Sequence, residues 1–286
     1  MGSASHESTN SSSASTVAPS HAETGETPTT SEIPTSTAST LPVATTTIAR
    51  KVMSATNPLK VMVVGDSLMF DATPGIVGAF EATHAAKVFE AGVPGFGLNR
   101  SYHWSEEWPR LLSEWHPDIV VMLEGGWDLP LRKYVGPARY QKLVDKAAET
   151  LTSTGAHLYW LELPQARKPY SYDFIDRSVN LQFIELAKTH ADAVTFVPIE
   201  PALDPDGVFR VSRVDAAGAL RVRKIDGAHF CADGAAALGR VLVDAAREHF
   251  DFPALVPGWE SGLWRFDGRF NDPKGACTDP PLAKDP

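Results

Sequence analysis

Leu59-Lys60-Val61-Met62-Val63-Val64-Gly65-Asp66-Ser67-Leu68-Met69-Phe70-Asp71 is the stretch from which the rest of the chain can be read. Val61 to Val64 is a short, valine-rich, uniformly apolar run, which suits a strand buried on both faces of a parallel sheet. Gly65 ends the run, and Asp66-Ser67 stand where the chain leaves the carboxyl end of that strand. Open α/β sheets place their reactive groups in that crevice. A serine there faces substrate while held on rigid backbone, beside the peptide N–H groups of the turn. Serine is also a common helix N-cap, so position alone leaves both roles open.

Composition divides the 286 residues in two. Met1 to Asn57 is dominated by Ser, Thr, Ala and Pro, and the first aromatic residue of the chain is Phe70. Such a segment cannot bury enough apolar surface to offset the entropy of ordering it, so residues 1–57 are expected to be a disordered linker of the kind found on extracytoplasmic stalks. Residues 58–286 suffice for one α/β domain with a full core and a wrapping C-terminal tail. Of the net charge of −9, the linker contributes −2 (Glu7, Glu23, Glu26 and Glu32 against Arg50 and Lys51), and the remainder has no basic clusters. That argues against nucleic acid and against docking on anionic lipid. No apolar run approaches the ~18–20 residues that span a bilayer, and no signal-peptide pattern opens the chain. Either the protein is cytosolic or the chain is a piece of a longer exported or membrane-tethered one, and the linker favours the second. Cys231 and Cys277 lack zinc-site spacing. Outside the cytosol they would pair and pin the tail beside His229; the alternative is two independent buried thiols. No clustered His/Asp/Cys ligand set implies a metal, no cofactor is expected, and the isolated domain reads as a monomer.

Apolar periodicity places helices near 74–83, 105–115, 137–152, 173–190 and 234–250, and strands at 87–90, 118–123, 157–163 and 193–198. The first helix is expected to begin near Pro74. Trp104, Trp108, Leu111, Leu112 and Trp115 form one helical stripe, read as core. Glu124-Gly125-Gly126-Trp127-Asp128 is a second glycine-rich strand exit, and 203–225 reads as a long loop or hairpin. Alternation of strands and helices implies right-handed crossovers and a mostly parallel, five-stranded sheet in a three-layer α/β/α, flavodoxin-like domain. The G-x-S-x-G elbow of α/β-hydrolases is absent, since Leu68-Met69 follow Ser67.

Gly65-Asp66-Ser67-Leu68 after a buried first strand resembles block I of the GDSL/SGNH hydrolase superfamily, and Asp226-Gly227-Ala228-His229 resembles its terminal D-x-x-H block. Of the nine histidines only His229 has an aspartate three residues before it. The resemblance implies Ser67 as nucleophile, His229 as base and Asp226 as the carboxylate that orients it. It also implies an oxyanion hole built from the Ser67 N–H and a block II glycine, for which Gly95 fits best. Block III departs from the family's Gly-x-Asn-Asp: Gly125-Gly126-Trp127-Asp128 puts Trp127 in the asparagine position, which leaves two readings, an indole N–H as third donor with a different reach and geometry, or a hole resting on the two backbone donors. Asp66, Gly126, Trp127 and Asp128 are expected to border the substrate, and Trp127 can stack on a sugar ring.

GDSLMFD, GVPGFG, GGWD and DGAHF behind a Ser/Thr-rich linker are similar to the SGNH domains appended to acyltransferase-3 membrane proteins of actinomycetes. That resemblance implies an extracytoplasmic domain, which accepts an acyl group through a membrane acyltransferase domain and passes it from Ser67 to an envelope carbohydrate or glycolipid. Two other readings stand beside it: an esterase or carbohydrate deacetylase using the same residues, and a glycan-binding module whose catalytic residues are vestigial.

Overall fold

A computed structural model of the chain describes residues 50–99, 102–128, 136–167, 178–216 and 218–278. Residues 1–49, expected as linker, and the expected start of the fourth helix at 173–177 lie outside them.

The described elements run β1 (Lys51–Val52), β2 (Leu59–Gly65), α1 (Ser67–Glu81), β3 (Ala86–Gly92), α2 (Trp104–Trp115), β4 (Ile119–Leu123), α3 (Pro137–Thr152), β5 (His157–Leu161), α4 (Ser178–Thr189), β6 (Val194–Val197), α5 (Glu200–Leu203), β7 (Ser212–Asp215), β8 (Gly218–Arg221), α6 (Ala232–Ala246) and β9 (Phe250–Asp251). Five strands make the central sheet in the order β3-β2-β4-β5-β6, every pair parallel. The chain leaves β2 for β3 on one side and then returns to β4 on the other. β2 and β4 therefore flank a topological switch point, and the crevice at their carboxyl ends is where such sheets bind ligands.

The alternation of β2 builds both cores at once. Val61 and Val63 join Ile76, Phe80, Leu238 and Leu242 on the α1/α6 face, while Met62 and Val64 join Trp108, Val144 and Phe183 on the other. The tryptophan stripe of α2 lies in that second core, as expected, with Trp115 packed at its margin.

Two boundaries differ from expectation. Helix α1 begins at Ser67, seven residues before Pro74, because the Asp66 carboxylate caps it by accepting the Leu68 N–H at 2.8 Å. Pro74 sits inside the helix, where it cannot donate to the carbonyl of Phe70. Arg269 Nη1 donates to that carbonyl instead, at 3.2 Å. Residues 51–57, assigned to the linker by composition, are ordered. β1 pairs with β9, Lys51 pairs with Asp118, and Met53 is buried in the α1/α6 core. Backbone pairing and one methionine suffice there, and neither registers in composition.

The segment 203–225 forms the β7–β8 hairpin between short connections. Beyond β9 the tail wraps the domain in three single-turn 3-10 helices and buries Trp259 against the α1/α6 core. A disulfide joins Cys231 to Cys277.

Candidate active site

Ser67 occupies the first turn of α1, and Asp226 and His229 lie on the loop between β8 and α6. Ser67 Oγ is 2.8 Å from His229 Nε2, and His229 Nδ1 is 2.7 Å from Asp226 Oδ2. Asp226 Oδ1 accepts the N–H groups of Ala228 and His229 at 2.8 and 3.1 Å, a turn that holds the carboxylate beside the ring. Gly227 makes that turn possible. Its φ is +73°, and a Cβ there would lie 2.4 Å from the Arg167 side chain.

Burial opposes the Asp226 charge, yet hydrogen bonds from His229 and the Ala228 N–H outweigh it and hold the carboxyl at about 2. An ionised Asp226 requires Nδ1 to carry the proton, which leaves Nε2 of the neutral ring to accept the Ser67 hydroxyl. Burial lowers the imidazole pKa, but the Asp226 hydrogen bond and charge prevail, so His229 titrates above the usual 6.5. The arrangement can take a proton from serine and stabilise the imidazolium that results.

Two loops flank Ser67, one from each strand beside β2. After β3, the Val93 N–H donates to the Gly65 carbonyl at 2.8 Å, and the Pro94-Gly95 turn follows with Gly95 at φ +79°. After β4, the turn Gly126–Asp128 carries Trp127, which is 45% exposed. A Cβ on Gly126 would lie 3.6 Å from Asp66 Oδ2, so this turn closes over the start of α1. The first N–H groups of α1 have no acceptor within the helix and form its positive end, at Ser67.

Asp66 and Asp128, expected beside substrate, are instead buried at 1% and 0% exposure. Asp66 caps α1. Asp128 accepts the Leu98 N–H at 2.9 Å and Asn99 Nδ2 at 2.7 Å, tying the loop that bears Gly95 to the β4 exit. The physical reason is common to both: loop and helix-end N–H groups need acceptors, and these carboxylates are nearest. Behind them lie two residues that the sequence reading did not single out. Tyr140 OH donates to Glu124 Oε1 at 3.2 Å and reaches Asp128 Oδ2 at 3.5 Å. Burial, then the Asp128 charge, pushes Glu124 well above the usual carboxyl range; burial raises Asp66 to about 7 against the Leu68 N–H. An acid ending an apolar strand, as Glu124 does, is the one signal that pointed to this cluster. A second pair also went unread: Lys224 Nζ lies 2.6 Å from Asp71 Oδ2. Among the described residues no group of three or more His, Cys, Asp or Glu could hold a metal, and no helix is long and apolar enough to cross a membrane.

A family described as "Protein of unknown function (DUF459)" matches residues 60–245. No curated protein matches significantly. Among solved structures the chain is similar to a lipase/acylhydrolase from Enterococcus faecalis, at 19% identity over 66% of this chain and 95% of that one, with a TM-score of 0.50. It is also similar to TesA, at 21% identity over 66% and 96% with a TM-score of 0.44. A GDSL-like lipase from Bacteroides thetaiotaomicron aligns at 16% identity over 66% and 88%, with a TM-score of 0.48. The sheet and its flanking helices are the fold of the Enterococcus acylhydrolase.

Proposed function

We propose that this chain, which belongs to the DUF459 family, is a serine-dependent O-acyltransferase that passes an acyl group, acetyl in the simplest case, through acyl-Ser67 to a cell-envelope carbohydrate or glycolipid. The observation that carries the reading is the continuous hydrogen-bonded array from Ser67 Oγ through His229 to Asp226.

In the first half-reaction the Ser67 oxygen adds to the donor's acyl carbonyl while its proton moves to His229 Nε2. The oxyanion develops beside the Ser67 N–H, with Gly95 on the adjacent loop as second donor; losing one such donor typically costs ~10²–10³ in rate. Collapse expels the donor's alcohol or thiol, which leaves with the proton from His229. In the second half a sugar hydroxyl adds to the acyl carbonyl and gives its proton to His229. Collapse then releases the acylated sugar and returns the proton to Ser67. An exposed Trp127 beside the site suits stacking on a sugar ring and shedding of water. Export of the domain, with the acyl group delivered through a membrane acyltransferase domain, is favoured by the Ser/Thr-rich segment and by the Cys231–Cys277 disulfide, since cytosolic thiols are kept reduced. Hydrolysis is the second reading. It uses the same residues, with water as acceptor, and it is favoured by the His229 side chain being 26% exposed.

The test is acyl partitioning. Purified protein receives an activated acetyl ester with and without envelope oligosaccharides, and acetylated sugar and free acetate are counted by mass spectrometry. Ser67-dependent acetylated sugar is the expected result. Acetate alone, whatever sugar is offered, makes the protein an esterase; sugar binding with neither product leaves a glycan-binding module.

A further inference from the structure

Ser67 and His229 come from segments 162 residues apart, so a 2.8 Å contact between them demands something that fixes α1 against the Asp226–His229 loop. The described structure places one charged pair at that junction. Asp71 lies one helical turn after Ser67, on the same face of α1. Lys224 lies two residues before Asp226. Their 2.6 Å ion pair is buried, each side chain 5% exposed. Lys224 also closes the loop itself: its N–H donates to the His229 carbonyl at 2.7 Å, and its carbonyl accepts the Gly227 N–H at 2.8 Å. Its Nζ donates further to the Asp272 carbonyl in the tail, at 2.8 Å. A buried ion pair is weak evidence of net stabilisation, since apolar replacements are often neutral or stabilising.

We propose that Asp71 and Lys224 are positioning residues whose ion pair holds the nucleophile helix in register with the Asp226–His229 loop and balances the charge felt by the imidazole. The inference rests on the proposed acyl chemistry for its meaning, but the ring itself reports on it. Several charged groups act on His229: Asp226 in its own loop, Asp71 on α1 with Asp66 at that helix's start, and Lys224; Arg167 borders the same loop, its backbone N–H donating to the Gly227 carbonyl at 2.9 Å. Of these, Asp71 raises the imidazole pKa and Lys224 lowers it. Removing one charge therefore shifts the ring in a known direction, which a purely packing role would not do.

The experiment follows the His229 ring by NMR titration of histidine-labelled full chain, alongside the rate of fluorophosphonate labelling of Ser67 at a pH where the ring is neutral. Asp71→Asn is expected to lower the His229 midpoint, since the Asp71 charge favours the imidazolium. Asp71→Asn/Lys224→Met, with neither charge, is expected to bring the midpoint back towards wild type while labelling slows ~10-fold or more through lost register. An Asp71→Asn midpoint that stays put or rises overturns the inference, as does a double variant labelled at the wild-type rate. Should Asp71→Asn fail to fold, the uncharged double variant carries the test. Wild type that takes no fluorophosphonate defeats the proposed function, and the midpoint shift alone then decides the pairing.

Discussion

The disulfide is the feature whose removal the structure prices most directly. Cys231 is the N-cap of α6, two residues after His229, and Cys277 lies in the tail, 46 residues on. Closing a loop of that length removes roughly 13 cal/mol/K from the unfolded chain in the entropy model, or about 4 kcal/mol at 25 °C. For a domain of this size each kcal/mol moves Tm by about 2–4 °C, so Cys231→Ala/Cys277→Ala should melt about 8–16 °C below oxidised wild type. Replacing both cysteines avoids leaving a lone thiol, and alanine adds no polar group at buried Cys231. The assay is calorimetry on both proteins, with agreement of calorimetric and van't Hoff enthalpies as the two-state check. The tail also touches the Asp226–His229 loop: the Ala276 carbonyl accepts the Ile225 N–H and the Asp272 carbonyl accepts Lys224 Nζ, both at 2.8 Å. Fluorophosphonate labelling at 25 °C should therefore slow as well, by a few-fold. A Tm drop below about 2 °C would refute the reasoning. It would mean that buried Trp259 and Phe270, with Arg269 bound to Phe70 and Glu90, hold the tail unaided.

Four further outcomes follow from the site. The base must be neutral to accept the Ser67 proton, and His229 titrates above 6.5, so the labelling rate should rise with pH and reach half its maximum above that value; a midpoint below it contradicts the assignment. The Asp226 carboxyl is depressed from 3.8 to about 2, so its contribution to stability is present above pH 3.8 and lost as pH falls towards 2; in urea titrations Asp226→Asn should flatten that loss. Gly65 has φ +149°, and a Cβ there would meet the Leu123 carbonyl at 2.0 Å, so Gly65→Ala should cost about 3 kcal/mol or more, and a urea midpoint near wild type would rule the clash out. Glu124 is raised well above 4.5, chiefly by burial, so its contribution is full below that pH and is lost as pH climbs through the folded value. Glu124→Gln, which keeps the shape of the protonated acid, should match wild type at pH 5 and exceed it at pH 9 by chemical denaturation; a variant less stable at both would show that Glu124 works as an anion.

How far the sequence could be read depended on how local each signal was. The β2 run, the α2 stripe and the Pro-to-Gly span of α3 are written in neighbouring residues, and each element lies within a few positions of its expectation. Ser67, Asp226 and His229 stand out in the sequence by motif spacing, and the fold brings their side chains within hydrogen-bond distance of one another. What escaped was set by partners distant in the chain. Pro74 looked like a helix start because the Arg269 that supplies a donor to the Phe70 carbonyl lies 199 residues away. Nothing in the residues around Lys224 or Asp71 marks them as a pair, and only folding buries them together.

Asp66 and Asp128 carry a more general point. A carboxylate just past a buried strand stands at the crevice where open α/β sheets bind ligands. Yet a strand exit beside a helix start also gathers backbone N–H groups, and an unmet buried donor costs about 1–3 kcal/mol. Asp66 meets the Leu68 N–H and Asp128 the Leu98 N–H, so both face inward. Asp226 obeys the same rule with its Oδ1, accepting two N–H groups of its own turn, but its Oδ2 is left for His229. One carboxylate oxygen holds the loop and the other reaches the imidazole, so a single residue both shapes the Asp226–His229 turn and orients the ring.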